Sequence, residues 1–372
     1  MPGITRTHVS DVRGAGRLLL DGSSGVVDVV ERMHRTIQRT PWPVGQPVHE
    51  ATRGITGFVY RSIRGSMQLL ARGLDAGLAP IEGLLPAGEA TPGREALVSI
   101  VNGVYGDHLA RTGNPLAIEM GLVHDCAAAP TRKLLILIHG LCMGAQQWTR
   151  DGYSHGAALA DALGYTPLYL RYNSGLHIAD NGRLLAEQLE RLVAQWPRPV
   201  EELTLLGHSM GGLVARSACL AGAERQHPWL GSLRRLVFLG TPHHGAPLER
   251  GGHGLDYLLG LSPYSAPFTR LGKARSAGIQ DLRHGTITAG GHQPVPLPAG
   301  VACYAVAATL GERRAPLADR VVGDGLVPLD SALGRHADRS RALRIPKAHR
   351  WVGFQMGHLD LLHRPEVYSQ LH

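Results

Sequence analysis

The sequence predicts an α/β fold with a mostly parallel central sheet, preceded by a helical N-terminal extension and interrupted by a helical insertion. Three observations lead there. From about residue 115, short apolar runs alternate with helical stretches, which implies parallel strands joined by right-handed crossovers. Leu134–Ile138 is apolar without a break, as a strand buried on both faces requires. Before residue 95 the pattern is helical, with no strand alternation.

Within the first part, Val26, Val27, Val29, Val30 and Met33 mark a helix that stops near Pro41 and Pro43. A second helix is predicted from about Thr52 to Leu78. Steps of 100° place Ile55, Phe58, Val59, Ile63, Leu70 and Leu74 on one side, and Arg53, Arg61, Arg64 and Arg72 on the other. Such a helix either packs on the main domain or lies on an anionic membrane surface, and both alternatives stay open. Pro86, Gly88, Pro92 and Gly93 read as a linker.

The main domain is expected over 115–372. After Leu134–Ile138, the predicted order is a strand at Pro167–Arg171, a helix at Ile178–Gln195, a strand at Leu203–Leu206 and a helix at Met210–Ala221. Strands at Arg235–Leu239 and Val301–Ala308 follow, with Ala342–Ile345 as a weaker candidate for the last. Between these, about 246–298, the alternation lapses into a Gly/Pro-punctuated helical insertion.

Bulk composition narrows the function classes. The 372 residues carry a net charge of +8, but the arginines are scattered, only Lys133, Lys273 and Lys347 are lysine, and aromatics make up 5%. A nucleic-acid binder would gather its basic residues into a stripe interleaved with aromatics, so no nucleic-acid partner is expected. The four cysteines form no C-x-x-C pair; buried reduced thiols are expected, with neither a metal nor a cofactor. No run of about 18 apolar residues exists to cross a membrane, and the N-terminus has no secretion pattern. The expectation is a cytoplasmic protein, with peripheral membrane contact through the N-terminal helices as the alternative.

The chemistry centres on Gly207-His208-Ser209-Met210-Gly211-Gly212. A serine hydroxyl is a poor nucleophile unless it is exposed on a tight turn and given a base. The glycines let a strand turn sharply into a helix around Ser209. This motif follows an apolar run and opens a helix. At the end of an earlier strand, His139-Gly140-Leu141 supplies a loop whose Leu141 N–H, together with that of Met210, would stabilise an oxyanion. Gly323-Asp324-Gly325 offers an acid after Ser209, in a loop beyond Val301–Ala308; Asp319 and Asp330 compete but lack flanking glycines. Among the C-terminal histidines His349, His358 and His363, the choice is His358, where Gly357-His358-Leu359 reads as a loop handing over to a helix.

With Gly240-Thr241-Pro242-His243-His244-Gly245 added to these motifs, the chain resembles the bacterial lipase and esterase relatives of the GPI inositol-deacylases, within the α/β hydrolases. The resemblance covers about 115–372. It implies an α/β-hydrolase fold with a helical lid at the insertion, a Ser209/Asp324/His358 triad and an acyl-enzyme intermediate on an ester or lipid-like substrate. A thioesterase or acyltransferase would use the same triad, and a non-catalytic, membrane-associated binding module is a rival of another class. His243 and His244 are expected to shape the lid hinge, and Cys142 to serve packing.

Overall fold

The structure is a computed structural model. It describes residues 11, 13–21, 62, 65, 66, 69, 70, 73, 92–124, 129–246, 276–291, 293–312 and 323–372. By contact, these belong to two compact units, one of residues 1–91 with 109–117, the other of 92–108 with 118–372.

In the first unit, residues 13–21 are helical, and Asn114 and Arg17 donate side-chain hydrogen bonds to the carbonyls of Gly14 and Gly113 (3.0 and 3.1 Å). Of the predicted helix at 52–78, only Ser62, Gly65, Ser66, Leu69, Leu70 and Gly73 are described; all are helical, and Leu69 and Leu70 are exposed. The four arginines of that helix, and the rest of its apolar face, lie outside the described residues, as do residues 247–275 of the expected lid.

The second unit is built on helix α1 (Pro92–Arg111, whose last turn belongs to the first unit) and strands β1 (Gly121–His124) and β2 (Lys133–Ile138). Then come α2 (His155–Leu163), β3 (Tyr165–Arg171), α3 (Ile178–Gln195), β4 (Glu202–His208), α4 (Met210–Glu224) and β5 (Leu233–Leu239). Helix α5 (Ala277–His284), β6 (Ala302–Thr309), α6 (Leu329–Ala332), β7 (Arg350–Phe354) and α7 (Pro365–Leu371) complete it. The seven strands form one sheet in the order β1-β3-β2-β4-β5-β6-β7. Only β1 runs antiparallel; all other pairs are parallel.

The apolar run of β2 follows from its position. It lies between β3 and β4, with Ile136 opposite Leu168 and Leu205. Successive side chains point to opposite faces. Leu134, Ile136 and Ile138 enter a core with Leu185 and Leu189 of α3 and Leu213 and Val214 of α4. Leu135 and Leu137 enter a second core with Trp148, Leu159 of α2 and Val367 of α7. With helices on both faces, none of the positions Leu134–Ile138 can be polar without losing burial worth about 1.5–3 kcal/mol per large side chain, whereas Lys133 at the strand's start is exposed.

Two expectations are corrected. Ala342–Ile345 is not a strand; the last strand is β7, which pairs Ala305–Thr309 with Arg350–Phe354. Pro346 has no N–H and restricts Ile345, so the segment cannot continue a ladder. Leu343 and Ile345 instead bury themselves from a loop, with the Leu343 N–H donated to Gly334 O at 2.8 Å. Pro92 and Gly93, read as linker, open the 20-residue helix α1. Proline is tolerated in a first turn, where its missing N–H would have no helical partner.

Candidate active site

The candidate residues lie in segments that follow strands β2, β4, β6 and β7. Strand β4 stops at His208, Ser209 adopts φ 53° and ψ −124°, and α4 begins at Met210. A positive φ in a residue with a Cβ costs on the order of 1–3 kcal/mol and persists only when its surroundings fix it. Here the Ser209 N–H donates to Leu239 O on β5 at 2.8 Å. The glycines around it are demanded by space. A Cβ on Gly207 would lie 2.5 Å from Gly212 Cα, one on Gly211 2.1 Å from Ile138 O, and one on Gly212 2.0 Å from Thr241 Oγ1. Any larger residue would push α4 away from the sheet.

Strand β2 delivers the loop His139–Met143 alongside. A Cβ on Gly140 would lie 3.0 Å from Ser209 Cβ, so this loop touches the serine directly. It is held from several sides. The Tyr172 hydroxyl donates to His139 O at 2.7 Å and its ring stacks on the imidazole at 4.3 Å. Cys142, at φ 59°, donates its N–H to Ser174 Oγ at 3.1 Å. Helix α1 backs the loop so closely that a Cβ on Gly103 would lie 2.8 Å from Cys142 Cα, and Ser276 Oγ donates to Gly103 O at 2.6 Å. The Cys142 N–H is therefore occupied, whereas no acceptor among the described residues takes the N–H of Leu141 or Met210. Helix initiators such as Met210 have no partner within the helix.

Beyond β6, Gly323 (φ 53°) and Gly325 (φ 94°) fold a tight loop around Asp324. A Cβ on Gly323 would lie 1.9 Å from Val327 O. Asp324 is fully buried. Its Oδ1 accepts the N–H groups of Leu326 (3.0 Å) and Val327 (2.8 Å), and its Oδ2 lies 2.6 Å from His358 Nδ1. The His358 N–H donates to Asp324 O at 3.1 Å, so backbone and side chain are both tied to the acid. Nε2 of His358 is buried with no hydrogen-bond partner among the described residues. Gly240, one residue past Leu239, packs against this ring; a Cβ there would lie 3.0 Å from His358 Cε1. Leu239–Gly240 thus touches Ser209 on one side and His358 on the other.

His208 is a residue the sequence reading left without a role. Its Nε2 lies 3.1 Å from His358 O, and the two rings are 4.6 Å apart. Burial first, and the neighbouring His358 second, hold its pKa well below the ordinary histidine value. A neutral ring that donates from Nε2 fixes the backbone of His358 without placing a charge beside it. Burial likewise pushes His139 down to about 4 and the Cys142 thiol up to about 12, so Cys142 is a packing group in the protonated form.

The competing residues are engaged elsewhere. His349 stacks on Tyr304 at 4.2 Å with Nδ1 3.2 Å from Cys303 O, and His363 sits near Asp360 and Leu359 O. Asp330 pairs with Arg335 at 3.6 Å; Asp319 lies outside the described residues. His243 is buried edge-on to Phe238, 4.6 Å between ring centres. Among the described residues, no group of three or more His, Cys, Asp or Glu is arranged to hold a metal ion.

Residues 130–294 match the model of the PGAP1-like alpha/beta domain family. No protein of curated function matches the chain. Among solved structures, the mature form of Bacillus licheniformis lipase BlEst2 is 19% identical with a TM-score of 0.44, covering 66% of this chain and 93% of its own. An esterase of Pyrobaculum calidifontis is 13% identical with a TM-score of 0.45, covering 76% of this chain and 93% of its own. Aspergillus fumigatus lipase B is 15% identical with a TM-score of 0.41, covering 67% of this chain and 54% of its own. The sheet and the strand–serine–helix turn agree with that match: residues 130–294 are similar to the PGAP1-like alpha/beta domain, and the chain folds as a mostly parallel seven-stranded sheet flanked by helices.

Proposed function

We propose that the chain is a serine hydrolase of carboxylic esters, of the lipase and esterase kind. The observation that carries this reading is the buried 2.6 Å contact between Asp324 and His358, beside a serine held at positive φ. In this proposal Asp324 keeps the His358 proton on Nδ1, so that Nε2 presents its lone pair to the Ser209 hydroxyl. Ser209 Oγ attacks the ester carbonyl as its proton passes to His358. The oxyanion is stabilised by the N–H groups of Leu141 and Met210, donors already fixed before charge develops. His358 then protonates the leaving alcohol, and water, activated by the same imidazole, releases the acid from Ser209.

The test is labelling with a fluorophosphonate together with turnover of p-nitrophenyl esters of increasing chain length. Wild type should label and turn over, and Ser209→Ala should do neither. A Ser209→Ala protein that labels like wild type would remove Ser209 from the mechanism. Full labelling without ester turnover, but with acyl-CoA cleavage or acyl transfer, would move the protein to the thioesterase or acyltransferase class. The insertion at 246–298 is proposed as the lid over the acyl-binding cleft. Deleting 247–275 should shift the chain-length preference, and an unchanged preference in a folded protein would refute that role.

A further inference from the structure

A cavity of about 730 Å³ opens between α4, the segment 284–298 and the segment 339–346 that leads toward β7. None of Ser209, Leu141, Met210, Asp324 or His358 lines it. Its charge is one-sided. Arg216, Arg339, Arg341 and Arg344 line it, while no Asp or Glu among its lining residues balances them. The neighbouring acid Asp338 is exposed and bonded to Ser340, through its N–H and its Oγ (2.9 and 2.7 Å).

Arg216 is the telling residue. It projects from α4 and is only 6% exposed, yet it has no carboxylate partner among the described residues. Its Nη2 donates to Val295 O at 2.8 Å and its Nη1 reaches His243 Nδ1 at a long 3.5 Å, while Nε is buried without an acceptor. Burial pushes its pKa down only to about 10, so the guanidinium stays charged at neutral pH. A buried charge without a counter-charge is costly even after relaxation and water penetration. The imidazoles beside it do not compensate. His243 and His244 both have depressed pKa values, chiefly through burial, and each leaves a buried Nε2 without a partner. With Nδ1 of His243 facing a guanidinium, its proton is assigned to Nε2, which adds a further donor.

We propose that this cavity is an anion-binding site, separate from the ester-cleaving centre, that takes the oxyanion of a carboxylate or phosphate on Arg216. Guanidinium donors match either group in a planar, charge-assisted arrangement. The arginines at the rim draw the anion in, and Val295, Leu297 and Leu343 give the carbon part of the ligand an apolar wall. A bound anion supplies the charge that the described residues leave missing.

The test is calorimetric titration of the full chain carrying Ser209→Ala, at fixed ionic strength, with sodium octanoate and with inorganic phosphate, and sodium chloride as the control. Saturable binding of either anion beyond chloride is expected. Octanoate alone would identify a carboxylate ligand, and phosphate alone a phosphate ligand. Arg216→Met should weaken binding roughly tenfold or more, the scale of losing a hydrogen bond to a charged group. Arg341→Gln, at the partly exposed rim, tests the same idea without disturbing the buried site, and should weaken binding several-fold with the fold intact. Binding of neither anion overturns the proposal, and so does unchanged affinity in a folded Arg341→Gln together with Arg216→Met. Fluorophosphonate labelling of Ser209 in the otherwise unaltered protein should proceed at the same rate with the anion present. Competition would place the anion at the catalytic serine and also overturn it.

Discussion

Replacing Asp324 with Asn tests the proposed catalytic geometry at its narrowest point. The carboxylate makes three close contacts: Oδ1 with the N–H groups of Leu326 and Val327, and Oδ2 with His358 Nδ1. Asparagine has one oxygen and one NH2 group, so it must choose an orientation. Turning the NH2 toward Leu326 and Val327 would set donor against donor and strand two buried N–H groups, at about 1–3 kcal/mol each. Turning the oxygen there keeps both bonds and points the NH2 at His358 Nδ1. The second orientation wins, and the imidazole must then carry its proton on Nε2. In that tautomer it cannot accept the Ser209 proton. The expected loss in kcat is on the order of 10⁴-fold, the scale for a triad held in the wrong tautomer. Stability should fall much less, by about 1.5–3 kcal/mol for one charge-assisted bond. The assay pairs p-nitrophenyl ester kinetics with thermal unfolding. A folded Asp324→Asn protein with kcat within tenfold of wild type would refute the argument.

Further expectations follow from the same contacts. Gly211→Ala drives a Cβ to 2.1 Å from Ile138 O, which backbone cannot easily yield, so Tm should drop by the equivalent of about 1–3 kcal/mol and ester turnover should collapse; an unchanged Tm would show that the elbow is not tightly packed. Burial holds His139 and His155 at about 4 in the folded protein, against roughly 6.5 when unfolded. In that window the unfolded chain binds protons that the folded chain refuses, so this stability is fully present above pH 6.5 and is lost as pH falls toward 4. Thermal unfolding at pH 7.5, 5.5 and 4.5 should give a falling Tm, and a flat profile contradicts the assignment. If the N-terminal arginine-bearing helix contacts a membrane, the full chain should sediment with anionic vesicles at low salt and be released by high salt, with binding lost on removing residues 1–80. Retention in the supernatant at low salt argues against it.

The sequence by itself determined what depends on local grammar. The uninterrupted apolar run of β2 could belong only to a strand covered on both faces, and the glycines around Ser209 could serve only a turn too tight for side chains. Asp324 was singled out by its flanking glycines, and those glycines are the residues at positive φ that fold its loop. Strand β7 was missed because Trp351 and Val352 are only partly buried and Gly353 breaks the run, while Leu343 and Ile345 imitate a strand from a buried loop. Strand β1, four half-exposed residues at an antiparallel edge, left too little pattern to read. The local sequence around Gly357-His358-Leu359 favoured His358, but its pairing with Asp324, and the engagement of His349 and His363 elsewhere, came only from the tertiary structure. It alone set His208 against the carbonyl of His358, Ser174 on the Cys142 N–H, and Gly103 of α1 behind the same loop. The physical reason is range. Turn geometry and burial pattern act over a few neighbouring residues and leave a trace in composition, whereas a contact between residues 32 or 150 positions apart is fixed by how strands are ordered in the sheet.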